Sequence, residues 1–346
     1  MIRIDGSIGE GGGQILRTAL ALSAALKIPF EIVNIRKKRK RPGLLPQHLT
    51  AVNAVAKICN AEVIGNKFGS TELIFKPQEL RPGHYEFDVA FERGSAGATT
   101  LVAQAILPVL MLTDSTVRIR GGTHVPYSPP FDFLKEVLIP HLNRQAVLFD
   151  ARLIKYGFYP VGKGEIVLQF YPAPNFNGIS LVLERGFLRE LSIVAKVAHL
   201  PITIAQRQVD ELIKLINTEF PNLKIKSTTE SVSAASPGTY LFLKAEFSNI
   251  TVGFSGLGEK GKPAEMIAQE VYDNFKHYLL ASDSVYEHHL ADQICIFVAL
   301  SRFRYGKRIE PLVIKADKIT EHLQTNIWLI QQFIPGFQPL IKSPTS

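Results

Sequence analysis

Thiols are scarce. Cys59 and Cys295 are the only two, far apart and each inside an apolar helical pattern. That excludes a disulfide framework and a cysteine-rich metal site, and it fits buried free thiols in a reducing compartment. No apolar run reaches bilayer length either. The longest, Ala98 to Leu112, is interrupted by Thr99, Thr100, Gln104 and Pro108, and the N-terminus lacks a charged-then-apolar leader. The expectation is a soluble, cytoplasmic protein without membrane contact. Familiar phosphate motifs are missing as well. A G-x-G-x-x-G reading of the opening glycines fails at Gln14, and the near-Walker string of Gly256, Gly261 and Lys262 ends on Pro263, which has neither a hydroxyl for magnesium nor an N–H. The Lys-x-Asp-Gly string of lysine-adenylating ligases does not occur. His and Cys spacing defines no structural zinc, and no Ser-His-Asp order emerges.

What is present is concentrated in a few places. From Asp5 to Arg17 the chain reads D-G-S-I-G-E-G-G-G-Q-I-L-R, three consecutive glycines opening directly into an apolar helical pattern. Glycine permits close backbone approach, and the start of a helix directs its positive dipole end at whatever sits there, so an anion such as phosphate suits the turn. A purely structural strand-to-helix turn has the same composition. Charge points the same way as the glycines: the net charge is +8 and the pI about 9.3. Six of those positive charges run consecutively from Arg36 to Arg41, R-K-K-R-K-R. Such a run repels itself and needs solvent or a polyanion. A solvated loop and a nucleic-acid phosphate contact both satisfy it.

With 346 residues, 46% hydrophobic and 20% charged, the chain can build more than one core. Three segments repeat one plan of turn, apolar helix, strand and second helix. They start at G-E-G-G-G-Q-I-L-R, at G-S-A-G-A-T-T-L-V and at H-L-A-D-Q-I-C-I-F. Strands are expected at Phe30–Ile35, Ser115–Arg120 and Glu310–Ile314. A stretch from Arg185 to Leu280 departs from the plan, with helices expected near Thr203–Thr218 and Pro263–Leu280 and strands near Leu223–Lys226 and Thr239–Phe247. The spacing predicts an α/β protein in which residues 1–184 and 281–346 form one discontinuous domain of three repeats and residues 185–280 an inserted α/β domain.

Polar residues on apolar helices mark candidate chemistry, because a buried polar atom needs a partner. Gln104 sits in one such helix, Asp292 and Gln293 in another. His322 lies just before a helix signalled by Thr325 and Asn326, where an imidazole faces a helix N-terminus and can attack phosphorus as a neutral nucleophile. His48, His124 and His199 read as ordinary core or surface histidines.

Seven motifs in order along the chain resemble one family, the RNA 3'-terminal phosphate cyclases. They are D-G-S-I-G-E-G-G-G-Q-I-L-R-T from Asp5, R-P-G-L-L-P-Q-H-L-T from Arg41, G-S-A-G from Gly94, G-G-T-H-V-P-Y-S-P-P from Gly121, G-F-Y-P-V-G-K-G-E from Gly157, H-L-A-D-Q from His289 and E-H-L-Q-T-N-I from Glu321. The resemblance implies ATP-dependent conversion of an RNA 3'-phosphate to a 2',3'-cyclic phosphate. A histidyl-AMP intermediate forms with release of pyrophosphate, and AMP is freed at the end. It places the nucleophile at His322 and a divalent magnesium or manganese on Glu10. Arg17, Arg36, Arg39 and Gln47 become phosphate-handling residues. Gln14, Gln104, Pro129, His289, Asp292 and Gln293 surround the nucleotide. It also implies a fold of repeated βαβαββ units related to the C-terminal domain of a translation initiation factor and packed as in enolpyruvyl transferases. Four features depart from the family pattern. Tyr156 replaces a basic residue, Lys163 a glycine and His289 a tyrosine, and the hairpin expected from Ala299 to Ile314, with Arg302, Arg304, Lys307 and Arg308, is long.

Two other functions share this architecture. A ribosome-assembly branch keeps the fold without cyclase activity, and retention of His322 with Glu10 separates the enzyme from it. An enolpyruvyl transferase leaves Arg36 to Arg41 without a purpose. The oligomeric state is left open, a homodimer among the options.

Overall fold

The computed structural model describes every residue except 90–95, 145–147, 172–177, 306–311 and 345–346. The first repeat runs β1 (Ile2–Asp5), α1 (Gln14–Leu26), β2 (Phe30–Val33), α2 (Pro46–Ile58), β3 (Glu62–Ile64) and β4 (Leu73–Lys76). Its sheet order is β1-β2-β4-β3, with β1 parallel to β2 and the other pairs antiparallel. The second runs β5 (Gly83–Asp88), α3 (Thr99–Leu110), β6 (Ser115–Gly121), a helix from α4 (Phe131–Phe133) through a π turn at Leu134–Leu138 into α5 (Ile139–Asn143), β7 (Leu148–Lys155) and β8 (Gly164–Tyr171). Its order, β5-β6-β8-β7, repeats the first strand for strand. The βαβαββ unit is therefore present twice in full.

An independent sheet follows: β9 (Leu188–Ala198), α6 (Ile202–Glu219), β10 (Ile225–Ser231), β11 (Gly238–Phe247), β12 (Thr251–Leu257) and α7 (Ala264–Leu280), ordered β10-β9-β11-β12. Both helices lie within one residue of their expected ends. The strand expected from Leu223 starts instead at Ile225, because the Leu223 N–H closes a turn on the Phe220 carbonyl. This sheet leans on the second repeat through the Tyr240 hydroxyl, which donates to Asp132 at 3.0 Å, and through Lys244, 3.3 Å from Glu136.

The third repeat is abbreviated. It comprises α8 (His288–Tyr305), β13 (Val313–Lys315), α9 (Glu321–Phe333) and β14 (Leu340–Lys342), with β13 and β14 parallel. The hairpin expected from Ala299 is not formed there: residues 299–305 are the last turns of α8, since Ala299, Leu300 and Ser301 are buried and extend the apolar run of that helix. Lys307 and Arg308 lie outside the described residues.

The core forms where α1, α2, α3 and α9 meet. Helix α1 is enclosed from Ile15 to Ala24, apart from its first-turn residues Gln14 and Arg17. Burial of its Leu16, Leu20 and Leu22 side chains contributes roughly 1.5–3 kcal/mol each. Lys163, where a glycine was expected, keeps the left-handed backbone at φ 54°, while Tyr156 turns its hydroxyl to Lys196 at 2.6 Å.

Candidate active site

Three helices bring their N-terminal turns to one cleft of about 870 Å³. Residues three and four apart on a helix share a face. On α1 these are Gln14, Arg17 and Thr18; on α8, His289, Asp292 and Gln293; on α9, His322 and Asn326; all of them line the cleft. The positive ends of three macrodipoles meet where these side chains meet, which favours a bound anion.

His322 lies in the first turn of α9 rather than ahead of it, because Thr320 caps the helix by accepting the Leu323 N–H at 2.9 Å. The same hydroxyl donates to Asp292 at 2.9 Å. Gln14 holds the imidazole: its Oε1 faces His322 Nδ1, and its Nε2 donates to the His322 carbonyl at 3.2 Å. With Nδ1 turned to Gln14, Nε2 is the ring nitrogen left facing Glu10. That atom lies 3.1 Å from Glu10 Oε2, and Arg39 Nη2 holds the same carboxylate oxygen at 2.7 Å. Burial, opposed by Glu10 and assisted by Arg17 and Arg39, lowers the His322 pKa and favours the neutral ring.

The Arg17 guanidinium has no ion-pair or hydrogen-bond partner among the described residues, while its backbone N–H donates to the Gly13 carbonyl at 3.2 Å. Burial lowers its pKa to about 10. The basic run divides in two. Arg36 donates to the Arg41 and Gly43 carbonyls at 2.6 and 2.9 Å, Lys38 to the Gly9 carbonyl at 2.7 Å, and Arg39 pairs with Glu10. Every residue from Lys37 to Arg41 is exposed, so what sets Lys38 and Arg39 apart from Lys37, Lys40 and Arg41 is their contact with the glycine turn. The triple glycine also makes room for protein side chains: a Cβ at Gly13 would lie 2.3 Å from His48 Nε2. At Gly9, with φ +58°, a Cβ would collide with Thr325 of α9.

All twelve residues singled out from sequence line this cleft. Gln47 accepts the Ala98 N–H at 3.1 Å, the Pro129 carbonyl accepts the Thr100 hydroxyl at 2.8 Å, and Gln104 faces the cleft from α3. Gly97 closes the G-S-A-G motif against Val89, while its Gly94 and Ser95 lie outside the described residues. His48, read as ordinary, also lines the cleft, its pKa pushed well down by burial, Arg36 and Arg17.

Glu287 and His288 were missed. Glu287 is buried, takes the Nδ1 of His289 on Oε1 and accepts the His289 and Leu290 N–H groups. His288 Nδ1 lies 3.2 Å from both oxygens of buried Asp317. The adjacent E-H-H triplet was visible in the sequence, but not the burial of its carboxylate. Glu287 raises the His289 pKa from 6.5 to about 9, and burial raises Asp292 from 3.8 to about 7. Folded protein therefore holds the His289 proton that unfolded chain releases near 6.5, so this contribution to stability is full below 6.5 and lost as pH rises through 9. Between pH 7 and 9, beyond the Asp292 window, the thermal midpoint should fall, and His289→Gln should flatten that limb. Equal slopes in the two proteins would exclude the Glu287–His289 linkage.

Comparison with known proteins adds a separate line of information. The family profile described as RNA 3'-terminal phosphate cyclase matches residues 8–336. Proteins named RNA 3'-terminal phosphate cyclase from Methylococcus capsulatus, Gloeothece citriformis and Pyrobaculum neutrophilum are 41%, 40% and 38% identical to this chain. Each alignment covers 96% of this chain and 91%, 93% and 93% of the respective relative.

Proposed function

The chain belongs to the RNA 3'-terminal phosphate cyclase family, and we propose that it uses ATP to convert an RNA 3'-phosphate into a 2',3'-cyclic phosphate through AMP held covalently on His322. In this reading His322 Nε2 attacks the α-phosphorus of ATP and pyrophosphate leaves. An oxygen of the RNA 3'-phosphate then attacks the same phosphorus, breaking the P–N bond and freeing the imidazole. The neighbouring 2'-hydroxyl finally attacks the activated 3'-phosphorus, loses its proton, and expels AMP.

The observation that carries this reading is the pinned imidazole. Gln14 occupies Nδ1 of His322, which leaves Nε2 as the attacking atom in this reading, beside Glu10 and Arg39 and within the same cleft as Arg17. Phosphoryl transfer depends on such positioning and on neutralised charge. Glu10 offers the hard oxygen donor that suits magnesium or manganese alongside substrate phosphates. A metal bound there would supply charge neutralisation. Arg17, Arg36, Arg39 and Gln47 handle phosphate oxygens, and Gln104, Pro129, His289, Asp292 and Gln293 enclose the nucleoside. Residues 185–280 act as an inserted domain closing one side of the cleft through Phe254 and Ser255. No described helix is long and apolar enough to cross a membrane, and we place the enzyme in the cytoplasm.

The direct test incubates the protein with α-labelled ATP and metal. An acid-labile, base-stable label is expected on the protein, together with cyclic ends on a 3'-phosphorylated oligoribonucleotide. Absence of the label would overturn the mechanism. Exposed Lys40 and Arg41 are the RNA-facing half of the basic run. Replacing both with Gln should lower the slope of log affinity against log salt by about 0.7 for each RNA phosphate that is no longer neutralised, the value for single strands. An unchanged slope removes them from the RNA path.

A further inference from the structure

The loop from Gly121 to Pro130 carries an aromatic ring that the reaction scheme leaves unused. Tyr127 is 101% exposed, and its backbone is left-handed at φ 61°. Bulky residues rarely adopt that conformation, and it persists only where the surroundings impose it. Here they do. Pro126 precedes Tyr127 in the turn, an arrangement of proline followed by positive φ in which glycine ordinarily takes the second place. The Ser128 hydroxyl donates to the Val125 carbonyl at 2.9 Å, and the Thr100 hydroxyl fixes the Pro129 carbonyl. The loop is anchored on both sides, and the ring it presents is fully open to solvent among the described residues. Such a residue contributes nothing evident to the stability of the free protein.

Its place suggests what it meets. Tyr127 lines the cleft that holds His322, whereas a separate aromatic contact in the same cleft is made by buried Phe133, with the exposed His289 ring edge-on to it at 6.5 Å. The proposed reaction brings two nucleosides to one imidazole. A free nucleotide can be enclosed, but a polymer end must leave its strand in solvent. We infer that Tyr127 is the stacking platform for the 3'-terminal nucleobase of the RNA. This inference rests on the cyclase reading. Stacking on an aromatic face suits every base, so the platform recognises an unpaired terminal nucleoside without reading its identity.

The test compares a 3'-phosphorylated oligoribonucleotide with the same strand lacking its terminal base. Both are measured as substrates and, by fluorescence anisotropy, as ligands. For the wild type, losing the base should raise KM and Kd about tenfold, the scale of one stacked base. Tyr127→Gly should show that tenfold loss on the intact strand and no further loss on the abasic one, whereas Tyr127→Phe keeps the wild-type pattern. The thermal midpoint of Tyr127→Gly should equal or exceed that of the wild type, because glycine accepts φ 61° without strain. Labelling by ATP without RNA should not change. If Tyr127→Gly discriminates the abasic strand as the wild type does, the ring does not lie under the base. If ATP labelling falls together with RNA use, the ring serves the nucleotide instead. A wild type that takes no label at all overturns the cyclase reading, and the anisotropy comparison still decides the platform.

Discussion

His322→Ala is expected to fold normally, to take no label from α-labelled ATP and to form no cyclic ends. The fall in rate should be on the order of 10⁴ or more, the range seen when a covalent nucleophile is deleted. Folding should survive because the cap of α9 belongs to Thr320, not to His322, and the imidazole is only half-buried. The loss should appear wholly in the first chemical step. Equal labelling of wild type and variant would move the nucleophile elsewhere in the cleft. Because burial lowers the His322 pKa, labelling of the wild type should stay at full rate to pH values below an ordinary histidine midpoint of 6.5.

Arg17→Met should separate stability from activity. The guanidinium is partly buried without a partner among the described residues, and burial lowers its pKa to about 10. An uncompensated cation of this kind is unfavourable in the free protein, and its neutral replacement of similar length should leave the thermal midpoint at or above that of the wild type. Labelling by ATP should fall roughly 10²–10³-fold, as for loss of one preorganised donor to a reacting phosphate or oxyanion. Arg17→Lys should recover part of it, since charge returns but the planar fork does not. A destabilised Arg17→Met enzyme with normal labelling would reverse the assignment and make Arg17 a structural residue.

Much of the cleft was legible because polar side chains on apolar helices are conspicuous. Gln104, and Asp292 with Gln293, each interrupt a run that is otherwise apolar, whereas Gln14 and Arg17 came from the motif resemblance, and their spacing of three puts them on one helix face. The two full repeats were legible for the same reason, from alternation in strands such as Phe30–Val33 and apolar continuity in α1. What escaped depends on long-range packing. Nothing local shows that Glu287 is buried, that Asp317 reaches His288, or that Phe254 of β12 borders the cleft. The triple glycine reads as a turn shaped for a ligand, yet Gly12 and Gly13 are flanked by Arg39 and His48. Only the fold reveals that these side chains pack against the turn and line the cleft beside it. The basic run likewise reads as uniform, although Arg36 folds back on its own loop while Lys38 and Arg39 reach across to Gly9 and Glu10 of the glycine turn.

The thread of hydrogen bonds from Thr18 to Asn326 and from Asn326 to the Asp292 carbonyl joins residues at opposite ends of the chain, as does the grip of Gln14 on His322, 308 positions away. During synthesis the glycine turn, the basic loop and Arg17 all leave the ribosome long before α9. Until that helix arrives, a nascent chain has the basic loop but not His322, the proposed nucleophile, and Thr18 lacks its Asn326 partner. On the proposed mechanism, a product terminated before α9 should be inert toward ATP and RNA ends even where its first two repeats have folded.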